Sequence, residues 1–95
     1  VQLLFSQKAL LDLKEIHQYT VQQWSTPQAD TYYLGLIEGF QNLLNFPRLG
    51  KKYDKLKTKP FGLKVSKHIV FYKIEKQNIY IIRVLHESMD IKSAF

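Results

Sequence analysis

The hydrophobic period of this chain changes partway along, and that change limits its fold more than any other feature. Up to Pro47 the apolar residues recur at three-and-four spacing, whereas from Phe61 onward they come as short alternations and runs of β type. A chain of 95 residues has room for one compact core, so residues 1–95 are read as a single domain. The expected architecture is α+β, with element order β-α-α-β-β-β: a helical hairpin packed on one face of a small, mainly antiparallel sheet.

Residues 1–5 are mostly apolar and short enough for a strand, and Ser6 suits the N-cap of the helix after it. Ala9, Leu10, Leu13, Ile16, His17, Thr20 and Trp24 mark the inner face of that first helix, with Asp12, Lys14, Glu15, Gln18 and Gln22 expected in water. Ser25-Thr26-Pro27 ends it and starts another, because proline fits a first helical turn but not an interior. Ala29, Tyr32, Tyr33, Leu36, Ile37, Phe40, Leu43 and Leu44 form the second stripe. Gly35 and Gly39 share a face there and would let another helix come close.

Residues 48–59 show neither period and read as a loop. Phe61–Val65, His68–Ile74 and Ile79–His86 read as strands, with Glu75-Lys76-Gln77-Asn78 as a turn in which Asn78 tolerates positive φ. The run from Ile79 to Leu85 is apolar on both faces except at Arg83, which places it mid-sheet between the hairpin partner and the N-terminal strand.

Charge and composition narrow the chemistry. Fourteen basic against eight acidic residues give +6, which favours a polyanionic or acidic partner. There is no cysteine, so disulfides, thiolate zinc sites and cysteine nucleophiles are excluded. His17, His68 and His86 have no metal-ligand spacing, and glycines 35, 39, 50 and 62 make no phosphate loop. Neither a metal nor a nucleotide cofactor is expected. No apolar run reaches the roughly 18–20 residues of a membrane span, and the start Val1-Gln2-Leu3-Leu4-Phe5 lacks the basic region of a signal peptide. The expectation is a cytoplasmic protein that has lost its initiator methionine or been trimmed, with no membrane partner.

His86, Ser88 and Asp90 have the residue types of a triad, but sequence neighbours rarely reach triad geometry. The simpler reading is that His86 and Asp90 tie the strand end to the tail by hydrogen bonds. Cleavage of RNA needs a base, an acid and cations together. His68, Tyr72, Arg83, His86 and Glu87 have those types, yet strand alternation sends Arg83 and Glu87 to the side opposite His86. Arg83 is better explained as a half-buried cation that requires a carboxylate partner. Arg48, Lys51, Lys52, Lys55, Lys57 and Lys59 make a basic patch with Tyr53 available for stacking. Both a phosphate-contacting surface and a solvated loop fit that composition.

Four stretches together resemble the ParE toxins of the RelE/ParE superfamily of toxin–antitoxin modules. They are Ala9-x-x-Asp12-Leu13-x-x-Ile16-x-x-Tyr19 with Trp24 and Gln28-Ala29; Phe46-Pro47-Arg48-Leu49-Gly50; Ile69-Val70-Phe71-Tyr72; and Ile82-Arg83-Val84-Leu85-His86-Glu87-Ser88-Met89-Asp90. The resemblance implies a non-enzymatic inhibitor of DNA gyrase, acting in plasmid stabilisation and neutralised by a ParD-like antitoxin, as a homodimer or a hetero-oligomer with that antitoxin. The alternative is a ribosome-dependent mRNA interferase like the RelE relatives. The tail Ile91-Lys92-Ser93-Ala94-Phe95 offers no Tyr, His or Arg, which weakens that alternative. A target surface is expected at Arg83, His86 and Asp90, and antitoxin contact at Trp24, Tyr33 and Leu49.

Overall fold

In the computed structural model, which describes residues 1–95, the chain runs β1 (Leu3–Phe5), α1 (Gln7–Gln23), α2 (Thr26–Asn45), β2 (Lys51–Lys52), β3 (Phe61–Val65), β4 (His68–Glu75), β5 (Asn78–His86) and α3 (Ile91–Ala94). Ser6 Oγ accepts from Ala9 N at 3.0 Å and donates to Ile82 O at 2.7 Å, so one hydroxyl caps α1 and ties its start to β5. Ser25 Oγ accepts from Gln28 N at 3.2 Å and caps α2, with Pro27 in its first turn. The two helices therefore meet at a hairpin with almost no loop.

The sheet has the order β1-β5-β4-β3-β2, with β1 parallel to β5 and the remaining pairs antiparallel. This is the mid-sheet placement of Ile79–Leu85 that its two-sided apolarity requires. Residues 48–59 are not wholly loop, because they contribute the edge strand Lys51–Lys52, too short to leave a periodic signal. The β4–β5 turn is tighter than expected. Lys76 and Gln77 carry the positive φ values (51° and 67°), while Asn78 already belongs to β5. Both central residues in the left-handed region match the twist of the flanking strands.

Register breaks once. Phe71 faces Arg83 while Tyr72 faces Ile81, so Ile82 is an extra residue on β5. The bulge keeps Ile79 and Ile81 on the helix side together with Val84, and sends Arg83 and Leu85 to the other side. Each face consequently has its own core. Under the helices, ten buried residues including Ala9, Leu13, Leu36, Leu43, Tyr72 and Ile81 pack together. On the opposite face Leu56, Ile69, Phe71 and Leu85 are covered by Tyr53, Ile91 and Ala94.

Several inner-face assignments are corrected. Asp12, expected in water, is 9% exposed, whereas Leu10 (53%) and Trp24 (67%) lie outside. Asp12 is tolerated inside because it meets the guanidinium of Arg83. Gly35 and Gly39 do not admit a helix. A Cβ on Gly39 would lie 2.8 Å from Val65 Cγ2, so this glycine makes room for β3, and nothing lies within 4 Å of one on Gly35.

Candidate functional site

The last strand and the tail hold the residues with most chemistry. β1 accompanies β5 only along Ile79–Ile81, so beyond that point the backbone edge of β5 lacks a strand partner. Asp12 on α1 supplies the missing acceptor: its Oδ2 takes Val84 N at 3.0 Å. The same carboxylate accepts Arg83 Nε at 2.8 Å and Nη2 at 2.9 Å, a fork-to-fork pair. Arg83 Nη1 donates to Ala94 O at 2.7 Å. This bonding to Asp12 raises the guanidinium's already high pKa. The carboxylate partner that Arg83 demanded is thus Asp12, and the pair joins α1, β5 and α3.

Asp90 works at the other end of α3. It stands at the N-cap and accepts from Ser93 Oγ at 2.9 Å. Arg83 and Asp90 therefore hold the two ends of a short helix whose Ile91 and Ala94 cover Phe71 and its neighbours. Phe95 adds an edge-to-face contact with Phe71, the ring centroids 5.0 Å apart.

His86 lies on the other face. It is the register partner of His68, and the two rings are 5.2 Å apart, edge to face. His86 Nδ1 accepts from Ser88 N at 3.1 Å and pairs with Ser88 Oγ at 2.7 Å. The expected ties at the strand end are present in this form. Tyr32 of α2 bonds His68 Nδ1 at 2.5 Å while accepting from Lys67 N at 3.1 Å. The Tyr32 hydroxyl thus bridges the Lys67 backbone amide and the His68 ring. Burial, reinforced by His86, pushes His68 down to about 4, and burial raises Tyr32. The anticipated target surface Arg83–His86–Asp90 is accordingly split: two members hold α3 and the third belongs to a histidine pair under α2.

The remaining candidates for RNA cleavage are also separated. Tyr72 is fully buried, donating to Pro47 O at 2.8 Å and accepting from Gly50 N at 2.9 Å. Glu87 pairs with Lys64 at 2.9 Å, which lowers the pKa of its carboxyl. The antitoxin-contact candidates are not gathered either. Trp24 caps α1 and Leu49 comes after α2, so the 20 residues of α2 lie between them. That is a distance of about 30 Å for a helix of this length. Tyr33 lines a shallow depression with Leu10, Leu13, Lys14, His17 and Gln18, while Leu49 lines another with Phe46, Pro47 and Arg48. His17 is half-exposed and spans the hairpin to Asp30 at 3.0 Å. The basic patch Arg48, Lys51, Lys52, Lys55, Lys57 and Lys59 is wholly exposed. No group of three or more His, Asp or Glu side chains is placed to hold a metal ion, and no helix is long and apolar enough to cross a membrane.

Sequence reasoning missed Asp12, Tyr32 and Lys64 as partners. Only Asp12 carried a usable signal, since it stands three residues after Ala9 on the inner face and Arg83 needed an acid.

Residues 3–91 match the family model described as ParE toxin of the type II toxin–antitoxin system parDE. The chain is 30% identical over 89 residues to Toxin ParE1 of Mycobacterium tuberculosis (strain CDC 1551 / Oshkosh), covering 93% of this chain and 91% of the relative. It is 31% identical over 88 residues to Toxin ParE1 of Caulobacter vibrioides (strain ATCC 19089 / CIP 103742 / CB 15), with the same coverage. In fold it is similar to a solved chain titled "Chromosomal ParDE TA system from P. aeruginosa", with TM-score 0.78 and 17% identity over 90% of this chain and 95% of that one.

Proposed function

This chain belongs to the ParE toxin family of type II toxin–antitoxin systems, and from that premise we propose that it inhibits DNA gyrase by docking, catalyses nothing itself, and is neutralised by a ParD-like antitoxin. Residues 1–95 act in this reading as one toxin domain in the cytoplasm. The observation that carries it is the commitment of Arg83. Three of the guanidinium's five N–H donors are taken, two by the Asp12 carboxylate and one by Ala94 O, so its charge is committed to Asp12 rather than held for a cleaved phosphodiester. The middle of each sheet face is covered by an apolar core as well.

The antitoxin half rests on family membership and on charge. A partner segment that is acidic and folds on binding would be drawn to a chain of +6 and would dock apolar side chains in shallow depressions such as the one at Tyr33. The direct test is supercoiling by purified gyrase with micromolar toxin. Loss of supercoiling with accumulation of cleaved DNA is expected, with both effects reversed by the antitoxin. Undisturbed supercoiling would end the gyrase reading.

One observation favours a second reading. His68 and His86 face each other with ring centroids 5.2 Å apart, and two imidazoles at that spacing could act as base and acid on an RNA phosphodiester. Primer extension on translated message separates the readings, because an mRNA interferase leaves codon-positioned cuts and a gyrase inhibitor leaves none.

A further inference from the structure

Residues 48–59 hold six basic side chains and one acid, so this short segment carries five of the chain's six net charges. The ion pairs of Lys64, Lys73 and Arg83 and the His17–Asp30 contact all lie elsewhere, and every cation of the segment is unpaired. A segment that served only solubility would need no fixed shape. This one is fastened along its length. Tyr72, at the centre of the helix-side core, bonds Pro47 O and Gly50 N at its start. Gly50 itself has no room for a side chain, since a Cβ would stand 2.8 Å from both Gly62 O and Tyr72 Oη. Further along, Tyr53 N donates to Pro60 O at 2.8 Å, and Leu56 is buried in the second core.

The cations are also placed on two sides. Adjacent strand residues point to opposite faces. Lys52 Nζ lies 4.7 Å from the centroid of Phe61, the ring stacked on Tyr72, and Arg48 lies over that same ring at 6.0 Å. Lys51 Nζ lies 5.1 Å from the centroid of Tyr53, which packs on Phe71 across the sheet. The outer edge of the sheet is therefore a ridge with a cation on either flank, each resting on an aromatic ring.

We infer that this ridge, Arg48-Lys51-Lys52 with the lysines after it, binds the phosphate backbones of double-stranded DNA by entering a groove. A ridge charged on both flanks meets a groove walled by two phosphate strands, whereas an acidic peptide would reach both flanks only by pairing along the edge. A strand of two residues is in any case too short to template pairing with a peptide. The B-form major groove, about 12 Å wide, admits a β element, while the A-form major groove of RNA is too narrow. The inference stands independently of gyrase as the target.

The test is fluorescence anisotropy of a labelled 20-base-pair DNA duplex with antitoxin-free toxin between 50 and 200 mM salt, at roughly 0.9 of log–log slope per phosphate contacted. Replacing Lys51 and Lys52 together by Gln is expected to reduce the slope by about two. A pair on remote surface, Lys8→Gln with Lys76→Gln, is expected to leave the slope unchanged. Tyr72→Phe, which keeps every charge but frees the segment, is expected to weaken binding several-fold at an unaltered slope. A double-stranded RNA of the same length is expected to bind more weakly. Equal loss from the edge and remote pairs would show a response to net charge alone and overturn the inference. So would RNA binding as tight as DNA, or binding of polyglutamate with none of the duplex. Because the readout is direct DNA affinity, its failure leaves supercoiling inhibition to be judged separately.

Discussion

The two faces of the sheet are closed by different means. Two helices of 17 and 20 residues cover one face, above a cluster of ten buried residues. A fastened loop and a four-residue helix cover the other, above a cluster of four. An isolated helix of four residues has no stability of its own, so α3 persists only through its tertiary holds. Those holds are Arg83 on its last turn and the contacts of Ile91, Ala94 and Phe95, while Asp90 adds only a local bond to Ser93. One face is stabilised by burial under long helices, whereas the smaller core of the other is supplemented by a charged pair that reaches across from α1.

That contrast can be broken most severely at Asp12. Asp12→Ala leaves Arg83 without its partner and exposes the edge of β5, at a cost of about 3–5 kcal/mol. Urea unfolding measures it, and a loss below about 1 kcal/mol would show that the pair is incidental. A double change to apolar residues, Asp12→Leu with Arg83→Met, should recover much of the loss, because the desolvation cost disappears with the charges. Next come the two cores. Leu36→Ala in the helix-side core should cost about 3–5 kcal/mol and Leu56→Ala about 2, since a site under a short loop collapses more readily. Equal losses would mean that both faces are packed alike.

Smaller effects come from the histidine pair. Tyr32→Phe removes the hydroxyl that serves both His68 and Lys67 N, at about 1 kcal/mol. His68 is held at about 4, below its ordinary 6.5, so the unfolded chain takes up a proton first as pH falls. The contribution of His68 to stability should therefore be level above pH 6.5 and decline from there toward pH 4. Thermal unfolding across that range checks it, and His68→Gln should flatten the profile. The smallest effect belongs to the exposed pair of Lys64 and Glu87, where Glu87→Gln should leave the unfolding midpoint unchanged within error.

Much of this architecture is legible in residue order. Ser6, Ser25 and Pro27 mark the helix starts, and the apolar run from Ile79 to Leu85 places β5 inside the sheet. Arg83 announces a need for an acid without saying which one. Asp12 falls on the inner face by spacing and belongs in water by charge, and here position outweighs polarity. α3 and the β5 bulge leave no trace, because four residues carry too little periodicity and one extra residue only shifts parity. The meeting of Tyr32 with His68 is equally hidden, since 36 residues separate them.

Local order along the chain determined the elements, their caps, the fold class and where the charge lies, because each depends on neighbours within a few residues. Tertiary structure alone decided what those charges do: it bound Arg83 to Asp12 across 71 residues and set Lys51 and Lys52 on two sides of one edge. A charge acts through its distance to other charges and to water, and that distance exists only once the chain has folded.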